Sequence, residues 1–179
     1  MPNVPTVKVT VDLSPNSFKK LSEYFKNMRH ILNTSYSTEF TNKSREEVKK
    51  NAIQNLNATI GLTGYVPTGE MATSWLNSRL GKTALLINTH ENSAAVEFGT
   101  GIRGSIYSHP NAGEVGYKYN VNGHTQAWTY TPNGTDFYRT EGQEAHRFMY
   151  YALMDFKNST AIQNIGIEAF VKYFKDTQL

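Results

Sequence analysis

The residues able to do chemistry in this chain are few and poorly placed for it. Histidines stand at His30, His90, His109, His124 and His146. None is spaced as H-x-x-x-H or H-E-x-x-H, so no helix carries a ready-made pair of metal ligands. His109, Glu114, His124 and Asp136 fall in one loop-rich stretch, but proximity along a chain does not bring ligands to bonding distance; ordinary surface or hydrogen-bonded imidazoles are expected. Cysteine is absent, which removes thiol nucleophiles, disulfides and Cys-type zinc sites and fits synthesis in a reducing cytosol. Gly-x-Ser-x-Gly is absent too, so no nucleophile elbow is expected. Glu46-Glu47 reads as a solvated helix face.

Two glycine patterns suggest phosphate binding. Gly99-Thr100-Gly101-Ile102-Arg103-Gly104 spells G-x-G-x-x-G, which binds a dinucleotide only at a strand-to-helix turn whose helix N-terminus faces the pyrophosphate. The following Ser105 to Gly113 holds Pro110, Asn111 and Gly113 and predicts a loop. His124 stands near where the ribose would need an acid. Gly81-Lys82-Thr83 ends like a P-loop, but Leu76 occupies the position of its first glycine. The chain therefore reads as non-enzymatic, with no catalytic residue, cofactor or metal site expected. An aromatic set, Tyr117, Tyr119, Trp128, Tyr130, Phe137 and Tyr138, could stack on bases or sugars. Cross-strand packing is the favoured reading, because few Lys or Arg interleave with these rings. A binding module for nucleic acid or glycan is the alternative function.

These residues need a frame. A chain of 179 residues suits one domain, and a chain of this size buries roughly 70% of its unfolded surface. The 12% aromatic content excludes a disordered polymer. A net charge of +3 without a dense basic run does not argue for nucleic acid. The opening MPNVPTVKVTVDL lacks the pattern of a signal peptide, and no run of apolar residues is long enough to span a bilayer, so no membrane association is expected.

Val7, Val9, Val11 and Leu13 alternate with polar residues and predict a strand. Ser14-Pro15 predicts a helix start. Phe18, Leu21, Phe25, Met28 and Leu32 then make an amphipathic stripe, expected to face the core; a coiled-coil seam is the sharper reading, over only two heptads. Residues 33 to 42 are poor helix formers and predict a break or kink. Val48, Ala52, Leu56 and Ile60 resume the helix, with Gly61 as its cap. Two strands fit Met71 to His90, turning near Gly81-Lys82. Ser93 to Phe98 predicts a helical turn or a strand, and Gly99 to Gly116 a long loop. Val115, Tyr117, Tyr119 and Val121 predict a strand that turns at Asn122-Gly123 and pairs with Gln126 to Thr131. Pro132-Asn133-Gly134 predicts a further turn before Phe137 to Arg139. From Gln143 to Lys175 two helices are expected, separated near Ser159-Thr160. The sum is an α+β single domain over residues 1–179: a mostly antiparallel β-sheet packed by a long, kinked N-terminal helix and C-terminal helices, with a loop and hairpin insert at about 99–140.

Four segments resemble, in order, the tail-component family of long-tailed bacteriophages, also called head–tail joining, tail-completion or neck proteins. Val96-Glu97-Phe98-Gly99-Thr100-Gly101 is the most recognisable. Pro67-Thr68-Gly69-Glu70-Met71-Ala72-Thr73-Ser74 is similar to the family's Pro…Thr-Gly-x-Leu-x-x-Ser. Ala112 to Tyr117 with Val121 to His124 resembles an insert of Gram-positive phage members. Gly142-Gln143-Glu144-Ala145-His146-Arg147-Phe148-Met149-Tyr150-Tyr151-Ala152 is similar to Gly-Gln-x-Ala-x-Pro-Phe-Met-x-x-Ala, with Arg147 where the family has proline. The resemblance covers roughly residues 10 to 156 and implies a structural subunit of the virion, made in the host cytoplasm and placed at the head–tail junction. It implies a homo-oligomeric ring, commonly hexameric, beside other neck and tail proteins, with DNA passing through unread. It supplies no catalytic residues. Glu97, Phe98, Gly99, Thr100, Gly101, Arg103, Arg147 and Phe148 are the candidate subunit-interface or fold motif: Glu97 is expected to pair with Arg103, Arg147 or a neighbouring subunit, Phe98 to anchor a turn, and Gly99 and Gly101 to take unusual backbone angles.

Overall fold

A computed structural model describes residues 14–58, 69–81, 83–120, 126–131 and 134–174. The expected strand at Val7–Leu13, the Gly61 cap, the Asn122-Gly123 turn and His124 lie outside the described residues. The fold is α+β: mostly helical, with a long N-terminal helix and two small antiparallel sheets of two strands each among the described residues. The chain groups into two compact units, residues 1–47 with 156–179, and residues 48–155.

The first unit opens with α1 (Pro15–Ile31), whose start is set as the sequence predicts. Ser14 is extended, its Oγ accepts the Ser17 N–H at 3.2 Å, and Pro15 fills the first turn, where no amide donor is needed. Of the break or kink expected at residues 33–42, no break occurs: Leu32–Tyr36 is a π-helical turn and the chain continues into α2 (Ser37–Ala58). The Thr34 hydroxyl donates to the His30 carbonyl at 2.7 Å, so a poor helix former is held by bonding back to the preceding turn. The stripe on α1 does not face the core as expected. Tyr24 is the buried residue of the helix, while Phe18, Phe25 and Leu32 are exposed. After Ser159, whose Oγ accepts the Ala161 N–H at 3.1 Å, α7 (Ala161–Phe174) buries Ala169 and Phe174. Lys43 bridges Glu39 and Glu168 at 3.9 and 2.9 Å, and Lys172 reaches Glu39 at 3.1 Å.

The second unit holds the core. Ala52 and Leu56 on α2, Met71 on α3 (Glu70–Thr73), Val96 on α4 (Ser93–Phe98), and Phe148 and Ala152 on α6 (Phe148–Asn158) form one buried cluster. The hairpin β1 (Trp75–Leu80) and β2 (Thr83–Asn88) forms as expected, with Trp75 opposite Asn88 and Leu80 opposite Thr83. Trp75 meets the Phe148 ring edge-on at 6.5 Å, and Asn88 ties the hairpin to the Met71 carbonyl at 2.8 Å.

Three expectations change in the insert. Gly101–Ile106 is a short helix, α5, inside the predicted loop. Residues 115–120 are turn and irregular chain rather than strand, because Tyr117 turns inward onto Phe98 and the Tyr119 carbonyl is taken by the Gly101 N–H at 2.7 Å. Consequently β3 (Trp128–Tyr130) pairs with β4 (Tyr138–Thr140), not with the chain before it.

Leu56 is fully buried and Lys43 lies in a partly exposed ion pair. In urea denaturation, Leu56→Ala is expected to cost about 2–5 kcal/mol, and Lys43→Ala less than about 1 kcal/mol.

Candidate functional site

The segment Val96–Gly101 joins α4 to α5 and lies against residues 141–147. Thr100 and Gln143 exchange backbone bonds, Thr100 N–H to Gln143 O at 2.8 Å and Gln143 N–H to Thr100 O at 3.1 Å. The Gln143 amide donates to the Ala95 carbonyl at 2.8 Å, closing the end of α4. The two chain segments approach so closely that side chains are excluded. A Cβ at Gly142 (φ +96°) would stand 1.9 Å from the Thr100 carbonyl oxygen, and one at Gly101 (φ +62°) 2.6 Å from that of Glu141. At Gly99 (φ +81°) it would meet Gln143 O and Ala145 N at 2.8 Å. The glycines of the G-x-G-x-x-G pattern therefore admit the chain's own backbone, and the motif follows helix α4 rather than a strand.

Glu97 sits at the centre, only 7% exposed. Its carboxylate accepts the His109 Nε2 hydrogen at 3.0 Å and the N–H groups of Met149 and Tyr150 at 2.8 and 2.9 Å. The latter two are amides of the first turn of α6, which have no partner within their own helix. A carboxylate also suits the positive end of the helix dipole. The backbone agrees: Val96 O accepts from His146 N–H at 2.9 Å, and Glu97 O from Arg147 N–H at 3.1 Å. Glu97 is thus a helix cap supplied from fifty residues upstream, where capping is usually local.

His109 completes the cap. Its Nδ1 accepts the Asn111 N–H at 3.0 Å, so the proton needed for the Glu97 bond sits on Nε2. Its ring lies between Phe98, 4.5 Å away, and Tyr150, 5.2 Å away. Both nitrogens are engaged, so neither lone pair is free for a metal; among the described residues no cluster of three or more His, Cys, Asp or Glu is arranged to hold one.

The predicted residues separate into distinct roles. The carboxylate of Glu97 meets neither arginine. Arg103 is exposed and pairs with Glu144, whose hydrogen bond raises the guanidinium pKa further. Arg147 reaches away, to the Tyr107 and Ser108 carbonyls at 3.3 and 3.1 Å and to the Tyr151 hydroxyl at 3.2 Å. Phe98 anchors the turn as expected, stacking on Tyr117 at 4.7 Å, and Phe148 belongs to the core. Arg147 has φ +56°, the one non-glycine residue with positive φ among those described. Proline, fixed near −65°, is barred from that conformation. A proline could not stand here in this conformation.

Three described members of the aromatic set stand in different surroundings. Tyr117 donates its hydroxyl to Gly99 O at 2.8 Å, and burial pushes its phenol pKa up. A Cβ at Gly101 would lie 2.8 Å from the Trp128 ring, whereas Phe137 is 80% exposed. The sequence places His109 among the loop histidines but does not pair it with Glu97; the available signal is that a buried glutamate on α4 needs donors. Comparison of the chain with protein-family models, curated proteins and solved structures finds no match.

Glu97→Ala is expected to destabilise the fold by about 3–5 kcal/mol, because three buried donors lose their acceptor. Glu97→Gln should cost about 2 kcal/mol, since one acceptor oxygen survives and the charge does not. Urea midpoints with matched m-values measure both. His146 is buried, and burial lowers its pKa from 6.5 against a weaker opposing pull from Glu144. Below about pH 6.5 the unfolded chain binds a proton that the folded chain resists, so stability is full above that pH and declines as pH falls. His146→Gln should flatten this decline between about pH 7.5 and 5.5; an unchanged slope would remove His146 as its source.

Proposed function

We propose that the protein is a structural, non-catalytic subunit of the head–tail connector of a long-tailed bacteriophage, acting within a closed ring between the DNA-filled head and the tail. One observation carries this reading: segments resembling the phage neck family, far apart in sequence, build one physical unit. Met71, Val96, Phe148 and Ala152 share a core. Val96–Gly101 is bonded residue by residue to Gln143–Arg147, and Glu97 caps the helix that the last segment begins. Motifs that agree in order and also complete one another's hydrogen bonds support reading them together.

The chemistry of the site supports a structural role. Glu97 and His109, the buried ionisable pair, spend their polar atoms on holding the chain. The binding-module reading is weakened because Tyr117 stacks on Phe98 and Trp128 lies against Gly101, leaving those rings little freedom to receive a base or sugar. A ring needs two different complementary patches per subunit and a rotation that closes. The partners in this reading are neighbouring copies, other neck and tail proteins, and DNA in passage.

Native mass spectrometry and negative-stain electron microscopy of the purified chain should show a closed ring, six-fold by analogy with the resembling family. A nonsense mutation in the encoding phage should yield unjoined heads and tails. Infectious, normally tailed particles lacking the protein would sink the proposal.

A further inference from the structure

On α1, Phe18 and Phe25 stand seven residues apart and are 54% and 57% exposed, and Leu32, 40% exposed, continues the interval at the start of the π-helical turn. Leu21 and Met28 lie half-buried beside them. This is the a and d arrangement of a coiled-coil seam. Buried Tyr24 lies on the arc beside half-buried Leu21 and Met28, so the exposed apolar surface is a ridge along one side. A helix lying in a lipid interface needs an apolar face across its breadth, and here part of that breadth is already turned inward. A narrow seam is the shape that receives another helix.

One rim of the seam is basic. Lys19, Lys26 and Arg29 lie on the side of α1 that flanks the exposed row, while Lys20 and the single acid Glu23 stand further round the helix. Among the described residues these cations are in none of the observed ion pairs. Two copies of α1 laid seam to seam would bring like charges together, which works against self-pairing. We infer that the α1 seam docks a helix of a partner protein whose own apolar seam is rimmed by acidic side chains. The Phe18, Phe25 and Leu32 ridge supplies the buried contact, and Lys26 and Arg29 supply orientation and selectivity. This inference stands on the surface of α1 alone and is independent of the ring.

The test uses the full chain and two fluorescent three-heptad peptides with the same leucine seam, one with glutamate and one with lysine at the flanking positions, followed by anisotropy. The acidic peptide should bind at least about tenfold more tightly, with the difference shrinking as salt rises. Phe18→Ser with Phe25→Ser should weaken it about tenfold or more, with the circular dichroism spectrum unchanged because both rings are exposed. Lys26→Glu with Arg29→Glu should reverse the preference. Equal binding of both peptides, or indifference to the Phe18 and Phe25 changes, would overturn the inference. So would self-association in sedimentation that those serine changes abolish, which makes a second copy the occupant, or adsorption to phosphatidylglycerol vesicles without peptide binding.

Discussion

The second unit depends on one buried carboxylate. Glu97 takes hydrogen bonds from His109 and from two backbone amides that α6 cannot satisfy by itself. Removing a charge from water is costly unless it is paired and fully bonded. Here that cost is offset by charge-assisted bonds and by the helix dipole, and it is met only when α4, the 107–117 stretch and the start of α6 occupy their places together. An apolar residue at position 97 could fill the same volume, but it would leave two helical amides without acceptors. The carboxylate therefore specifies an arrangement and does more than stabilise a contact.

The glycines follow from the same requirement. For Glu97 to reach the first turn of α6, residues 96–101 must run directly against residues 141–147. Backbone then meets backbone at distances that no side chain tolerates, at Gly142 and Gly101 most severely. Arg147 shows the other consequence. Its N–H faces Glu97 O while the next amides but one face the Glu97 carboxylate, and the chain reconciles the two by a left-handed turn at a non-glycine residue. That conformation costs about 1–2 kcal/mol and persists because surrounding bonds fix both sides of it.

Much of this was legible where a signal is local. The Ser14-Pro15 start, the Trp75–Asn88 hairpin and the helical stripes after Phe148 each depend on neighbours a few residues apart, and each is present. The failures share a cause. Val115 to Tyr119 alternates like a strand, yet Tyr117 is drawn in by Phe98 and by the Gly99 carbonyl, partners that alternation does not reveal. The weak helix formers at 33–42, read as a break or a kink, disturb the helix as a π-helical turn and do not end it. The sequence does not point to the partners of Glu97. Arginines were the obvious donors by charge, whereas the actual donors are an imidazole and two main-chain amides, and amides carry no mark in a sequence.

The α1 stripe shows how far periodicity alone can be read. Spacing of three and four identifies an apolar side of a helix but not what lies opposite it. In most globular chains the answer is the protein's own core. What separates the two cases is the register of burial within the stripe. A core-facing helix buries its central row most deeply. On α1 the Phe18, Phe25 and Leu32 row is exposed, while Tyr24, off that row, is the buried residue. The helix has thus buried a neighbouring arc and kept its most regular apolar row at the surface. Exposed phenylalanines at heptad spacing among unpaired cations are costly for solubility, and they are best accounted for by a partner that covers them.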